Sequence, residues 1–120
     1  MKKLYGSFAA KLVAVILLCA LVLVCIGSVS LDDGSKNVTV DGEPVNLTPR
    51  EYDILKLLMQ NPGKVFHPRD LYRKVWNEEP YGAESTVAVH IRHLREKLEI
   101  DPANPRYIKA VWGQGYKFQS

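Results

Sequence analysis

Arg92, His93, Arg95 and Lys97 put four basic side chains within six residues, next to His90. Guanidinium groups suit planar acceptors such as phosphate oxygens or the O6/N7 edge of guanine, and imidazoles add donors whose charge depends on pH. Two further cations, Lys109 and Lys117, flank Trp112 and the Gly113-Gln114-Gly115 turn near the C-terminus. His90 and His93, three apart, could hold a metal on a helix. No third ligand follows at a suitable spacing, so no metal and no other cofactor is expected. Glu78, Glu79 and Glu84 have no nucleophile or metal partner nearby, and solvated charge accounts for them. The chain has no glycine-rich phosphate loop, no serine–histidine–aspartate set and no Cys/His cluster. It does not read as an enzyme, and its chemistry is anion binding.

The net charge of +3 agrees with that chemistry only weakly. Lys2, Lys3 and Lys11 precede an apolar run, and the other thirteen Lys and Arg balance 13 Asp and Glu. A neutral domain still binds a polyanion through a local basic face, because phosphate contacts are local. Pattern must therefore identify the partner.

The basic cluster needs a helix to present it. At 100° per residue, Val87, Ile91, Leu94 and Leu98 fall on one narrow arc, predicting a helix over residues 85–99 with that face buried. Its opposite face carries Ser85, Val89, Arg92, His93 and Glu96, with His90 and Arg95 on the flanks. Upstream, Thr48-Pro49-Arg50-Glu51 is a capping box that starts a helix burying Tyr52, Leu55, Leu58 and Met59. Asn61-Pro62-Gly63 ends it, Val65-Phe66 is a short extended piece, and Pro68 opens a second helix with Leu71, Tyr72 and Val75 inward. Trp76 reads as core, and a solvated face or phosphate contact explains Arg69, Arg73 and Lys74 equally well. Residues 77–83, with Pro80 and Gly82, form a loop. Asn37-Val38-Thr39-Val40, the turn Asp41-Gly42 and the return to Leu47 predict a hairpin before the helices. A second hairpin over residues 107–118 follows them, carrying Lys109 and Lys117. The fold class is α+β: a winged helix-turn-helix with a short N-terminal antiparallel β-sheet, three helices and a C-terminal β-hairpin wing.

Before this domain, residues 12–31 carry no charge and residues 12–26 are apolar throughout. As a helix they would span roughly 30 Å, the thickness of a bilayer's hydrocarbon core. The chain thus divides into residues 1–30, one hydrophobic transmembrane or signal-anchor helix, and residues 31–120, the winged helix. A signal peptide ending near Ser28 and Ser30 is the alternative, which the length of the apolar stretch disfavours. Cys19 and Cys25 lie inside the run and read as small hydrophobes.

Three spaced motifs carry a family resemblance: Leu47-Thr48-Pro49-x-Glu51-Tyr52; Val87-x-Val89-His90-Ile91-Arg92-x-Leu94-Arg95-x-Lys97-Leu98; and Tyr107-Ile108-Lys109-x-Val111-x-Gly113-x-Gly115-Tyr116. Together they resemble the DNA-binding domain of OmpR/PhoB-type response regulators of bacterial two-component systems, closest to VanR-like members, over residues 31–119. The resemblance implies sequence-specific binding of double-stranded DNA and regulation of transcription. The third helix would enter the major groove and the wing an adjacent minor groove. By position it implies contacts from Thr86, His90, Arg92, His93 and Arg95. With Ser85, Val89, Lys109, Trp112 and Lys117 these make the expected DNA-binding set. The loop with Asn77, Glu78, Glu79 and Tyr81 matches the segment that family members turn toward RNA polymerase.

Several departures shape the expectation. No receiver domain is expected ahead of the winged helix, so phospho-acceptor chemistry is absent and dimerisation weak or lacking. Ala88 stands where the family often has a carboxylate, His93 where arginine is frequent, and Trp112 where a groove-inserting arginine is common. Through residues 12–31 the chain would sit in the bacterial inner membrane as a single-pass protein. Lys2, Lys3 and Lys11 before the span and Asp32 and Asp33 after it favour an outward C-terminal domain, whereas binding a chromosome requires a cytoplasmic one. A cytoplasmic protein is the alternative location. The alternative functions are a winged helix used as a protein-interaction module, or a non-functional fusion or truncation product.

Overall fold

The computed structural model describes residues 23–26 and 29–119. Strands β1 (Leu23–Ile26), β2 (Val29–Asp32), β3 (Asn37–Val40) and β4 (Glu43–Val45) lead into helices α1 (Pro49–Gln60), α2 (Pro68–Trp76) and α3 (Ser85–Leu98). Strands β5 (Ile108–Val111) and β6 (Gly115–Phe118) close the fold. The first four strands form one antiparallel sheet in the order β1-β2-β3-β4, and the last two form the wing. The winged helix-turn-helix architecture is as the sequence predicts.

The sheet differs from the expectation. The anticipated hydrophobic helix over residues 12–31 does not extend through its C-terminal part: residues 23–26 and 29–31 are strand. A continuous apolar run does not distinguish a helix from a buried strand by periodicity, and long-range pairing decides. Leu31 faces Val38 across β2–β3, and Ile26 faces Val29 across β1–β2. Alternation along β2 buries Val29 and Leu31 fully and leaves Ser30 and Asp32 on the other face. The rest of that expectation, including Lys2, Lys3, Lys11, Cys19 and the Gly27-Ser28 step, lies outside the described residues. No helix among the described residues is long and apolar enough to cross a membrane. The Asp41-Gly42 turn closes β3–β4 as a two-residue hairpin, with Val40 opposite Glu43.

Both ends of the capping box are made at α1. The Glu51 N–H donates to Thr48 Oγ1 at 3.3 Å, and the Thr48 N–H donates to Glu51 Oε1 at 3.1 Å. Tyr52, Leu55, Leu58 and Met59 are buried as expected, and Ile54 joins them. His67 caps α2 through Nδ1, which accepts the Arg69 N–H at 3.2 Å. Leu71 and Tyr72 are buried, and Val75 is half-buried against the same core. On α3 the arc of Val87, Ile91, Leu94 and Leu98 is buried as the periodicity requires. One cluster joins these helices to Val29, Leu31 and Val38 of the sheet and to Ile108 and Phe118 of the wing.

Two long-range devices fix the wing. The extended piece at Phe66 becomes a partner of β6: its N–H donates to the Tyr116 carbonyl at 2.8 Å and its carbonyl accepts the Tyr116 N–H at 2.9 Å. Gly115 makes this approach possible, because a Cβ there would lie 1.9 Å from the Phe66 carbonyl oxygen at a φ of +142°. At the other end of the wing, the buried Glu99 carboxylate accepts the N–H groups of Arg106, Tyr107 and Ile108 at 2.8–3.1 Å.

Candidate nucleic-acid interface

Helix α3 presents Ser85, Thr86, Val89 and Arg92 to solvent. Ser85, Val89 and Arg92 follow one another at helical spacing, so they form a stripe opposite the buried arc. The Arg92 side chain is 68% exposed and lies 3.9 Å from Glu96 Oε1. An exposed i,i+4 pair contributes a few tenths of a kcal/mol, so Arg92 can readily exchange it for a stronger acceptor.

Its neighbours are held by the fold. The carboxylate of Glu51, 2% exposed, accepts Lys97 Nζ at 2.5 Å and lies 3.6 Å from His93 Nδ1. Burial alone would raise its pKa. The Lys97 and Thr48 hydrogen bonds and the nearby charges of Lys97 and His93 outweigh that and hold it below the usual carboxylate range. The capping-box glutamate of α1 is therefore also the anchor of α3. Lys97 and His93 are both drawn to this anchor.

His90 and Arg95 also sit differently from a free outward cation. The His90 ring is half-buried, 5.4 Å from the Trp76 ring, and its Nδ1 is buried without a hydrogen-bond partner. Burial, helped by the charges of His93 and Arg50 and opposed by Glu51, lowers its pKa and keeps it neutral at neutral pH. Arg95 turns to the wing, where Nε donates to the Ile108 carbonyl at 3.2 Å and the guanidinium stands 5.7 Å over the Tyr116 ring. Arg95 thereby couples the angle of the wing to α3.

On the wing, Lys109 and Lys117 are directly opposite across β5–β6. Like charges at that spacing repel. Among the described residues neither lies in an ion pair, so the two form a two-cation face. At the tip beyond them Trp112 is 97% exposed.

The loop between α2 and α3 is braced rather than simply solvated. Asn77 closes α2 in the left-handed conformation, Glu78 accepts the Tyr72 hydroxyl at 3.1 Å, and Glu79 pairs with Arg73 at 3.1 Å. Pro80 is buried, while Tyr81 stands 93% exposed.

Sequence reasoning did not find the second role of Glu51, the clamp made by Glu99, or the Phe66–Tyr116 bridge. Only the capping box marked Glu51, and its partner Lys97 lies 46 residues away.

Residues 42–118 match the family model described as "Transcriptional regulatory protein, C terminal". The chain is 46% identical over 92 residues to the uncharacterized transcriptional regulatory protein YcbL of Bacillus subtilis, covering 77% of this chain and 41% of that one. It is similar in structure to the response regulator DrrB of Thermotoga maritima, described as an OmpR/PhoB homolog. That match has a TM-score of 0.74 and 33% identity, over 82% of this chain and 44% of that one. The DNA-binding domain of RstA from Klebsiella pneumoniae, solved in complex with the RstA box, gives a TM-score of 0.75 at 29% identity, over 81% and 96%. The chain spans about two-fifths of the length of the curated relatives it matches.

Proposed function

The chain belongs to the family of C-terminal domains of transcriptional regulatory proteins, of the OmpR/PhoB type, and on that premise we propose that it binds double-stranded DNA sequence-specifically to regulate transcription. One observation carries the reading: the helix that bears the outward stripe Ser85-Val89-Arg92 is joined through Arg95 to a wing whose Lys109 and Lys117 have no acidic partner among the described residues. A helix of 14 residues, about 21 Å long, suits the major groove, which admits one α-helix. Arg92 would read a guanine edge, Val89 a thymine methyl, and Ser85 and Thr86 would meet the backbone at the helix start. Lys109 and Lys117 would straddle one phosphate. His90, His93 and Arg95 serve this surface by holding α3 against α2, α1 and the wing respectively. The similarity to the RstA domain, solved on its own DNA box, supports the same use of the fold.

Selection from a randomised duplex pool with the full 120-residue chain tests the proposal. One enriched motif is the expected result, with its central base preference relaxed in Arg92→Ala. Recovery of unbiased sequence would overturn it.

The braced loop supports a second contact. Tyr81, exposed above Glu78 and Glu79, would dock on RNA polymerase, so Tyr81→Ala should preserve DNA affinity while lowering transcription from a bound promoter. Loss of affinity in that variant would instead place Tyr81 at the DNA. Either activity requires residues 29–119 to face the cytosol.

A further inference from the structure

The residues that fold as β1 and β2 also complete the uncharged run. From Leu12 to Leu31 that run has 20 residues, about 30 Å as a helix and enough to cross a bilayer. The fold claims its C-terminal part. Leu23–Ile26 and Val29–Asp32 pair as strands, and β1 lies against α1. Val29 and Leu31 are fully buried in the core, opposite Val40 and Val38 of β3. Asp33 then clasps the end of the run to α1, accepting the Tyr52 hydroxyl at 2.7 Å and Lys56 Nζ at 3.1 Å. What precedes β1, residues 12–22, is 11 residues, about 16 Å as a helix and half of the hydrocarbon thickness. A span ending before β1 would have to take Lys11 into the hydrocarbon, where lysine is among the costliest residues.

We propose that a lipid bilayer and the winged helix compete for residues 23–31, so that membrane insertion and DNA binding are alternative states of the chain. Insertion draws Val29 and Leu31 out of the core, dismantles β1 and β2 and breaks the Asp33 clasp. Helix α1 then loses the sheet it packs on, and α3, anchored to α1 through Glu51, loses its support. Folding, in turn, leaves an uncharged stretch too short to span. Lys2, Lys3 and Lys11 ahead of the run suit a bilayer with anionic headgroups. Because each state excludes the other, the coupling is reciprocal: DNA withdraws the chain from lipid as strongly as lipid withdraws it from DNA. The DNA half of the proposal rests on the function proposed above, and the membrane half does not.

The test is cell-free synthesis of the full chain with lipid nanodiscs of phosphatidylcholine and phosphatidylglycerol, which leave both bilayer faces open to reagents. Disc-bound and free chains are separated by a tag on the disc scaffold, digested with trypsin and titrated with the selected duplex. The disc-bound chain should be cut at Lys56 of α1 and Arg95 of α3 and should not bind the duplex. The free chain should resist trypsin and bind. Duplex at a hundred times its Kd should lower partition onto discs about a hundredfold, by mass action. Cys25→Lys interrupts the run, yet lysine suits an edge strand and β1 is an edge of the described sheet. That variant should stay free and bind DNA like the native chain. Leu31→Ala keeps the run uncharged while emptying a core site, and it should move toward the discs. A disc-bound chain that resists trypsin and binds the duplex as tightly as the free chain would overturn the proposal. So would equal disc binding by the native chain and Cys25→Lys, or no disc binding by the native chain. A free chain that resists trypsin but binds no duplex would overturn the DNA reading alone, and the trypsin pattern and the two variants would still decide the competition.

Discussion

At the scale of single residues, what separates the basic side chains of α3 is their company. Arg92 has only an exposed partner in Glu96, whereas Lys97 and His93 share a buried carboxylate and Arg95 is tied to the wing. Arg92→Ala should therefore cost about 1–3 kcal/mol of binding at one base position, with the melting temperature unchanged. Arg95→Ala should lower the melting temperature as well as the affinity, because it releases a wing contact. Calorimetry beside duplex titration separates the two, and identical thermal behaviour would place Arg95 outward after all. Helical periodicity gave the direction of each residue on α3 but not its neighbours. His90 and Arg95 lie on flanks, where a wheel leaves inward and outward open and the rings of Trp76 and Tyr116 decide.

Protonation acts at the same scale. Asp33 accepts the Tyr52 hydroxyl at 2.7 Å and the ammonium groups of Lys36 and Lys56 at 3.1 Å each. These bonds, Tyr52 first, hold its carboxyl well below the usual range. The unfolded chain takes up this proton near pH 4, so the stabilisation is complete above about pH 4 and is lost as pH falls toward the folded value. Asp33→Asn should flatten this acid limb, leaving the part that belongs to Glu51. His90 adds an earlier step. Its lowered pKa means that the unfolded chain protonates first, so stability declines as pH drops below about 6.5. Urea denaturation of the native chain, Asp33→Asn and His90→Phe from pH 8 to 3 would show both steps. Parallel curves for all three proteins would refute the assignments.

Among the elements, the three helices were the most legible. Thr48-Pro49-x-Glu51 and the arc of Val87, Ile91, Leu94 and Leu98 are local signals, and each describes what the fold contains. Leu94→Ala should destabilise by about 2–5 kcal/mol, as emptying a fully buried leucine site does. A smaller loss would show that α3 is rotated from its described face. The wing's attachment was not legible, because it depends on Phe66 meeting Tyr116 across some fifty residues. Gly115→Ala should break that junction, since its Cβ would overlap the Phe66 carbonyl and its φ is one that L side chains rarely adopt. A loss of at least about 1–3 kcal/mol is expected in chemical denaturation, with weaker duplex binding. Full stability in that variant would mean that the bridge contributes nothing. Glu99→Ala strands three backbone N–H groups at the other end of the wing, at about 1–3 kcal/mol for each that water does not reach.

Taken as a whole, the molecule is a scaffold that aims one stripe and one hairpin. The sheet β1-β2-β3-β4 supports α1, Glu51 of α1 anchors α3, and Arg95 of α3 sets the wing. The sequence showed the order of these parts and missed how much chain the sheet takes up. In the sequence Leu23–Ile26 is continuous with the apolar run from Leu12, and β2 offers only the short alternation Val29-Ser30-Leu31-Asp32, too brief to set it apart from that run. The central claim is that Arg92 reads bases while Lys109 and Lys117 hold phosphate. Its most direct measurement is the salt dependence of affinity for the selected duplex and for a scrambled one. The native chain should show a steep negative slope of log affinity against log salt. Lys109→Ala and Lys117→Ala should each reduce that slope by about one charge on both duplexes, and Arg92→Ala should mainly erase the difference between them. Salt-independent binding, or full discrimination retained in Arg92→Ala, would contradict the claim.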